Sequence, residues 1–166
     1  MKNIIGIVLI IVLCAIYYSC KDNSTQPTSE FEGITERSAN GDLTGNVDPD
    51  DWQPLMICPG LPKSNTSAVT NPSTPLCTTI YPAYPNPTAN SFTVQYYLHE
   101  ADSVYMTMND SPTHIVREMV KQRQAAGTFS VTVDASDLNS GMYRVYILVF
   151  RSTDVLHSYG DIKISK

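Results

Sequence analysis

Residues 92–98 read FTVQYYL and residues 143–149 read YRVYILV, and these two stretches decide the fold. Apolar or aromatic side chains occupy every second position in both, which is the pattern of half-buried β-strands. The pattern returns at four further places, which are 104–108, 114–120, 129–133 and 162–164. Clusters of turn-forming residues separate these stretches. Six or seven short strands over residues 78–166 predict an all-β domain, built as an antiparallel β-sandwich.

The length and composition limit the expected number of domains and the class of partner. The chain has 166 residues, of which 42% are hydrophobic and 16% are charged, so its length suits one domain with an appendage. Eleven Lys and Arg residues stand against sixteen Asp and Glu residues, which gives a formal net charge of −5. Because a nucleic-acid-binding domain would present a basic face, we expect no nucleic-acid partner.

The N-terminus has the pattern of an export signal. Lys2 precedes an unbroken apolar run over residues 4–16, whose 13 residues are fewer than the ~20 that a membrane-spanning helix needs. Residues 1–19 are therefore interpreted as a signal peptide. The Ser-Cys pair at its end resembles a bacterial lipobox, which predicts that Cys20 is lipidated and anchors the chain in a membrane. Cleavage without a lipid and a retained anchor helix are the alternatives, and all three place the remaining chain outside the cytoplasm.

Residues 20–77 form an acidic region that is rich in Ser, Thr, Asn, Asp and Pro. From Lys21 onward it holds eight acidic and three basic residues, so it carries the whole net charge of −5. A segment this polar buries too little apolar surface to offset the entropy of ordering, which predicts a largely disordered stalk. One apolar cluster within it is expected to pack against the domain that follows, and its members are Trp52, Leu55, Met56 and Ile57.

Cys58 and Cys77 remain when the signal peptide and the lipidation site are set aside. In an oxidising compartment, an even number of cysteines in a small domain predicts a disulfide. We therefore expect a bond between these two residues that closes a loop in the stalk. The alternative is a metal site, but no His or second Cys pair lies nearby to complete a set of four ligands.

Residues 41–52 read GDLTGNVDPDDW and resemble half of a dockerin-type calcium repeat. A calcium loop needs oxygen ligands at fixed positions along the chain, and the segment is two residues short between Thr44 and Asn46. The candidate ligands that remain lack the required spacing, and they are Asp42, Asn46, Asp48, Asp50 and Asp51. We predict an acidic turn without a bound metal, with calcium binding as the alternative.

Short motifs in the C-terminal half together resemble one known family. Tyr84-Pro85-Asn86-Pro87 opens the set, and Leu138-Asn139-Ser140-Gly141-Met142-Tyr143 follows some fifty residues later. The chain ends in Ile162-Lys163-Ile164-Ser165-Lys166, which suits a short terminal strand with lysines. This pattern resembles the C-terminal sorting domain of type IX secretion cargo, which is similar in turn to the immunoglobulin-like domain of flagellar hook-capping proteins.

The resemblance covers residues 80–166 approximately and implies an immunoglobulin-like sandwich that type IX secretion machinery recognises. It also implies delivery to the outer membrane or cell surface, or secretion. The residues that carry the motif are Tyr84, Pro85, Asn86, Pro87, Gly127, Leu138, Ser140, Gly141, Tyr143, Lys163 and Lys166.

No pattern in the sequence supports catalysis. His99, His114 and His157 are isolated, without a Cys, His or carboxylate at the spacing of metal ligands. The sequence has no nucleophile elbow, no zinc-protease motif and no phosphate-binding glycine loop. We therefore expect neither catalytic residues nor a cofactor.

These features predict a non-enzymatic, exported lipoprotein whose sandwich serves secretion, sorting or surface attachment. The alternative is a tethered module at the cell surface that adheres to an extracellular protein or binds a glycan or calcium. A glycan-binding face could use four strand tyrosines, although their alternation favours packing, and they are Tyr96, Tyr97, Tyr143 and Tyr146.

Overall fold

The computed structural model describes residue 31, residues 33–53, residue 55 and residues 77–166. In these ranges the chain forms seven β-strands. They are β1 (Thr79–Tyr84), β2 (Ser91–Leu98), β3 (Asp102–Ser111), β4 (His114–Gln124), β5 (Gly127–Asp134), β6 (Gly141–Phe150) and β7 (Val155–Ile164). Every pairing between these strands is antiparallel. The all-β fold class that the sequence predicts is confirmed.

The seven strands form two sheets that pack face to face. One sheet has the order β1-β2-β5 and the other has the order β4-β3-β6-β7. Side chains at alternate positions of both sheets meet in one core. Many of these fully buried side chains come from the alternating stretches of the sequence, and they include Phe92, Val94, Tyr96, Leu98, Val104, Met106, Met108, Val145 and Ile147. At ~1.5–3 kcal/mol for each large apolar side chain, their burial is the main stabilising contribution.

Two strands depart from the sequence pattern for physical reasons. The pattern does not predict β1 because Pro82 interrupts it, and the register between β1 and β2 shifts between Tyr81 and Tyr84. Proline is tolerated there because β1 is the edge strand of its sheet. The pattern predicts only the last residues of β7, since Ser158 and Gly160 occupy buried positions where apolar side chains would be expected. The missing apolar group comes from another part of the chain.

That part is an N-terminal strap, which we define as the described residues between 31 and 55. Arg37 forms an antiparallel bridge with Asn86 of the sandwich. Three large apolar side chains of the strap are buried, with exposed fractions of 2% for Phe31, 5% for Trp52 and 6% for Leu55, whereas Leu43 is 41% exposed. The predicted packing of Trp52 and Leu55 against the domain is confirmed. The strap is an ordered part of the region that the sequence predicts to be largely disordered, because Trp52 and Leu55 belong to the core cluster of the sandwich.

Several predicted features lie outside the described residues. They are the signal peptide 1–19, the lipidation site Cys20, the remainder of the predicted stalk, and Met56, Ile57 and Cys58. Cys77 is described, and it is buried and takes part in a disulfide. Its predicted pairing with Cys58 stays a prediction.

Candidate functional site

The structure centres on Asn86, which is fully buried between the strap and β7. Its side-chain nitrogen donates hydrogen bonds to the carbonyl oxygens of Thr35, at 3.2 Å, and Asp161, at 2.8 Å. Its side-chain oxygen accepts a bond from the backbone N–H of Lys163 at 3.0 Å. The backbone of Asn86 exchanges two further bonds with that of Arg37, at 2.7 and 3.0 Å. One asparagine therefore joins the motif at 84–87, the strap and the last strand.

The outer edge of β7 is covered by hydrogen bonds from residue 159 to residue 165. The backbone N–H of Trp52 donates to the carbonyl of Tyr159 at 2.7 Å. The side chain of Asp51 accepts a bond from the N–H of Asp161. The side chain of Asn86 donates to the carbonyl of Asp161 and accepts from the N–H of Lys163. Thr88 then bonds the carbonyl of Lys163 and the N–H of Ser165. Exposed strand edges tend to pair with other chains, and this edge is occupied.

Trp52 supplies the apolar group that β7 lacks. A Cβ atom built on Gly160 would lie 2.0 Å from the Cε2 atom of the Trp52 indole. The ring therefore occupies the space that a side chain at position 160 would need, and it belongs to the core cluster. Trp52 also has a φ of 55°, a conformation that non-glycine residues seldom adopt. The packing and the bond to Tyr159 hold it there.

Arg144 and Asp161 form an ion pair on the outer face of the sheet, next to the strap. They are register partners on β6 and β7, and the guanidinium donates to both carboxylate oxygens at 2.7 and 2.8 Å. The guanidinium carbon lies 4.6 Å from the ring centre of Phe31 and 4.2 Å from that of Tyr159. The hydrogen bond with Asp161 raises the pKa of Arg144 above its usual value. Through the contact between Arg144 and the ring of Phe31, this ion pair holds the first described residue of the strap against the sheet.

Asp51 is a buried carboxyl group at the centre of the strap contact. One oxygen accepts a bond from the backbone N–H of Asp161 at 2.9 Å, and the other accepts from the N–H of Thr35 at 3.0 Å. Burial raises the pKa of Asp51 to about 7, and the nearby charges of Asp161 and Asp48 add to the shift. The two N–H donors oppose it. Asp51 therefore titrates near neutral pH instead of near pH 4.

The end of the chain packs against the turn before β6. The ammonium group of Lys166 donates to the carbonyl oxygens of Ser136, at 2.6 Å, and Leu138. Its backbone N–H donates to the side-chain oxygen of Ser140 at 3.0 Å. The Tyr143 hydroxyl closes the same turn by donating to the carbonyl of Asn139 at 3.0 Å. The run 138–143 thus forms a platform for the C-terminal residues.

The structure brings most of the predicted motif residues together around the chain end. Asn86 and the backbone of Lys163 are bonded to each other, and Leu138, Ser140 and Tyr143 belong to the neighbouring platform. Tyr84, Pro85 and Pro87 flank Asn86, and Gly141 begins β6. Gly127 lies apart from this group because it begins β5, whereas the run 138–143 follows the end of that strand at Asp134. Seven residues separate Gly127 from Asp134, which is about 23 Å along a strand. Its φ of 145° favours glycine, which gives it a local role.

Among the candidate calcium ligands, the side chains of Asn46, Asp48 and Asp51 have structural partners. One oxygen of Asp48 accepts a bond from the backbone N–H of Asp50, and the side chain of Asn46 donates to the carbonyl of Ile34. The backbone N–H of Asp42 donates to the hydroxyl of Ser38, and Asp51 is engaged as described above. In the described ranges, no group of three or more His, Cys, Asp or Glu residues is arranged to hold a metal ion.

Three of the four tyrosines that could line a glycan-binding face are buried. The exposed fraction is 0% for Tyr96, 8% for Tyr97 and 7% for Tyr143. Their burial agrees with the packing role that the alternation favours, since Tyr96 and Tyr143 belong to the core cluster and Tyr97 is buried on the opposite face of β2. Tyr146 is half-buried on the outer face and lies 6.3 Å from the ring of Tyr159. Over the described part of the chain, the structure contains no helix with the length and apolarity that a membrane crossing requires.

Three residues of this site cannot be identified from the sequence alone. Arg144 and Asp161 occupy outward positions of strands, where a charged residue ordinarily faces solvent. The strap buries them, and nothing local in the sequence predicts that contact. Gly160 carries a weak signal, since an isolated glycine inside a strand often marks a place where another group approaches closely. The described residues of the site offer hydrogen bonds, packing and one titrating carboxyl group.

Comparison with known proteins finds one family that part of the sandwich matches. No curated protein and no solved structure matches the chain. A family model described as the secretion system C-terminal sorting domain matches residues 82–153. The strap and β7 lie outside the matched residues, so their roles rest on the geometry given above. Residues 82–153 of the sandwich therefore match the secretion system C-terminal sorting domain family, the family that the motifs at 84–87 and 138–143 resemble.

Proposed function

We propose that this protein is a non-enzymatic, lipid-anchored cargo of the type IX secretion system, and that its sandwich is the part which the secretion machinery recognises. The match of residues 82–153 to the sorting-domain family carries the proposal. That family points to export and to a fate at the cell surface or outside the cell. The lipid anchor rests on the sequence around Cys20, and an outer-membrane location follows from it.

The geometry supports a recognition role for the region around the chain end. The motif at 84–87, the run 138–143 and the last residues of the chain all meet there. The side chain of Lys163 is exposed, while its backbone is held at both its N–H and its carbonyl. A rigid backbone that presents an exposed, charged side chain is suited to binding a partner, because little conformational entropy is lost on binding.

Locating the full-length chain tests both parts of the proposal. In cells with a functional type IX system, the protein is expected at the cell surface, where added protease reaches it. In cells without that system, it is expected to remain in the periplasm. Cys20→Ala is expected to release the protein from membranes in both strains and to abolish labelling with radioactive palmitate, because the thiol that accepts the lipid is gone.

Each part of the proposal can fail by itself. The same location in both strains would contradict recognition by type IX machinery, and the sandwich would then be better explained as a tethered binding module. Membrane attachment that survives in Cys20→Ala would contradict the lipid anchor and favour a retained helix.

A further inference from the structure

The contact between the strap and β7 contains buried groups with incomplete hydrogen bonding. In the described part of the chain, three buried side-chain nitrogen or oxygen atoms have no hydrogen-bond partner, and two of them belong to the strap. These two are Nε of Arg37 and Nε1 of Trp52. A buried donor without a partner costs about 1–3 kcal/mol. The φ of 55° at Trp52 adds a further cost. The strap is therefore held less firmly than its burial suggests.

Asp51 is the group in this contact whose charge can change. Two acidic residues face it: Asp48 from the strap and Asp161 from β7. Arg144 neutralises Asp161 by bonding both of its oxygens, whereas Asp48 has no ion pair with a basic group among those that the structure describes. Arg37, the basic residue of the strap, is bonded to the carbonyl of Gly41.

Two other charged residues lie on the same side of the sandwich. Lys163 follows Asp161 on β7 with its side chain in solvent, and Glu36 of the strap accepts a bond from the N–H of Asn46. Neither forms an ion pair with Asp51. An ionised Asp51 would thus be a buried negative charge with two N–H donors and no cation bonded to it, an arrangement that burial disfavours.

The groups that the strap and the Asn86 loop occupy have the spacing of a strand pairing. Six backbone groups on alternate residues from 159 to 165 point away from β6. The strap bonds two of them, the carbonyl of Tyr159 and the N–H of Asp161. Asn86 and Thr88 of the sandwich bond the other four, so release of the strap would uncover only the part of the edge at Tyr159 and Asp161.

We propose that the strap is a releasable cover of the β7 edge at Tyr159 and Asp161 and of the space above Gly160, and that ionisation of Asp51 loosens it. The release itself is a property of this chain and can be measured without a partner.

The direction of the pH effect follows from the position of Asp51. The docked strap favours protonated Asp51, whose pKa is about 7, while the released strap exposes it to solvent, where the ordinary value is 3.8. Between these two values the docked state binds one proton more than the released state. Docking therefore weakens about tenfold for each pH unit as the pH rises from about 4 to about 7, and it is constant above that.

Hydrogen exchange on the full-length protein tests this behaviour at single backbone amides. The amides of Asp161, Lys163 and Ser165 bond the strap or the Asn86 loop, whereas the amides of Gly160 and Ile162 lie between them on β7, on the side of β6. After correction for the intrinsic exchange rate, protection at Asp161 is expected to fall about tenfold per pH unit between pH 5 and pH 7. Protection at Gly160 and Ile162 is expected to stay unchanged.

Matched variants separate Asp51 from other titrating groups. Asp51→Asn is expected to remove the pH dependence, whatever its effect on the level of protection. Asp48→Asn removes a like charge, so the fall in protection is expected to end at a lower pH. His157→Gln, which replaces the exposed histidine of β7, is the control and is expected to leave the dependence intact.

Three results would overturn the inference. Protection at Asp161 that does not change with pH would show that Asp51 does not control the strap. A fall that persists in Asp51→Asn would assign it to another group, and an equal fall at Gly160 and Ile162 would show unfolding of the strand. None of these results bears on sorting, because the location of the full-length chain is measured independently.

Discussion

Gly160→Ala is expected to destabilise the protein by about 3 kcal/mol or more, even though it adds a single methyl group. That methyl would lie 2.0 Å from the Trp52 ring, so the indole must leave its place in the core. Removing a buried tryptophan side chain costs about 3–5 kcal/mol, and displacing it should cost a similar amount. Chemical denaturation followed by circular dichroism measures the loss.

A double-mutant cycle shows whether the loss comes from the contact between these two residues. Trp52→Ala empties the space above Gly160, so Gly160→Ala should cost almost nothing in that background. Gly141→Ala is the matched control, since a Cβ at position 141 would meet only the ring of Tyr143 at an ordinary 3.7 Å. Equal losses from Gly160→Ala in both backgrounds would place Trp52 elsewhere and contradict the strap contact.

Asn86→Ala is expected to cost at least about 3 kcal/mol and to lower the melting temperature by roughly 10 °C. The substitution leaves three buried backbone groups without their partner, namely the carbonyls of Thr35 and Asp161 and the N–H of Lys163. Each buried group left without a partner costs about 1–3 kcal/mol. Differential scanning calorimetry measures the change in melting temperature.

Two further substitutions check that the amide of Asn86 is responsible. Asn86→Asp keeps the size but removes the donors to both carbonyls, so a comparable or larger loss is expected. Asn139→Ala replaces an exposed asparagine in the motif and is expected to change stability by less than about 0.5 kcal/mol. A small effect of Asn86→Ala would mean that water replaces the amide and that the three segments are not joined through it.

The sequence predicts the sandwich well because its signals are local. Alternation of apolar side chains marks the interior strands, and the most regular stretches, at 92–98 and 143–149, lie within β2 and β6. The motif at 84–87 also identifies Asn86, although its role in joining three segments becomes visible only in the structure. The alternating pattern is enough to predict a strand wherever every second residue of that strand is buried.

The contact with the strap could not be predicted because it depends on positions far apart in the chain. Asp51 lies 110 residues before the Asp161 amide that it bonds, and the sequence around it resembles an acidic turn in solvent. Few apolar residues suffice to dock the strap because β7 has a vacant position at Gly160. Composition averaged over residues 20–77 conceals Phe31 and Trp52 among polar neighbours.

The surface display of an unrelated exported reporter fused to residues 31–166 tests sorting by this domain directly. The fused part includes the strap, because the sandwich alone would expose the β7 edge and the space over Gly160. In a host with a type IX system, protease added to intact cells is expected to reach the reporter. The double variant Lys163→Ser, Lys166→Ser is expected to reduce display, and Lys121→Ser, which changes an exposed lysine on β4, is expected to leave it unchanged. A reporter that stays in the periplasm while circular dichroism shows a folded sandwich would contradict the sorting function.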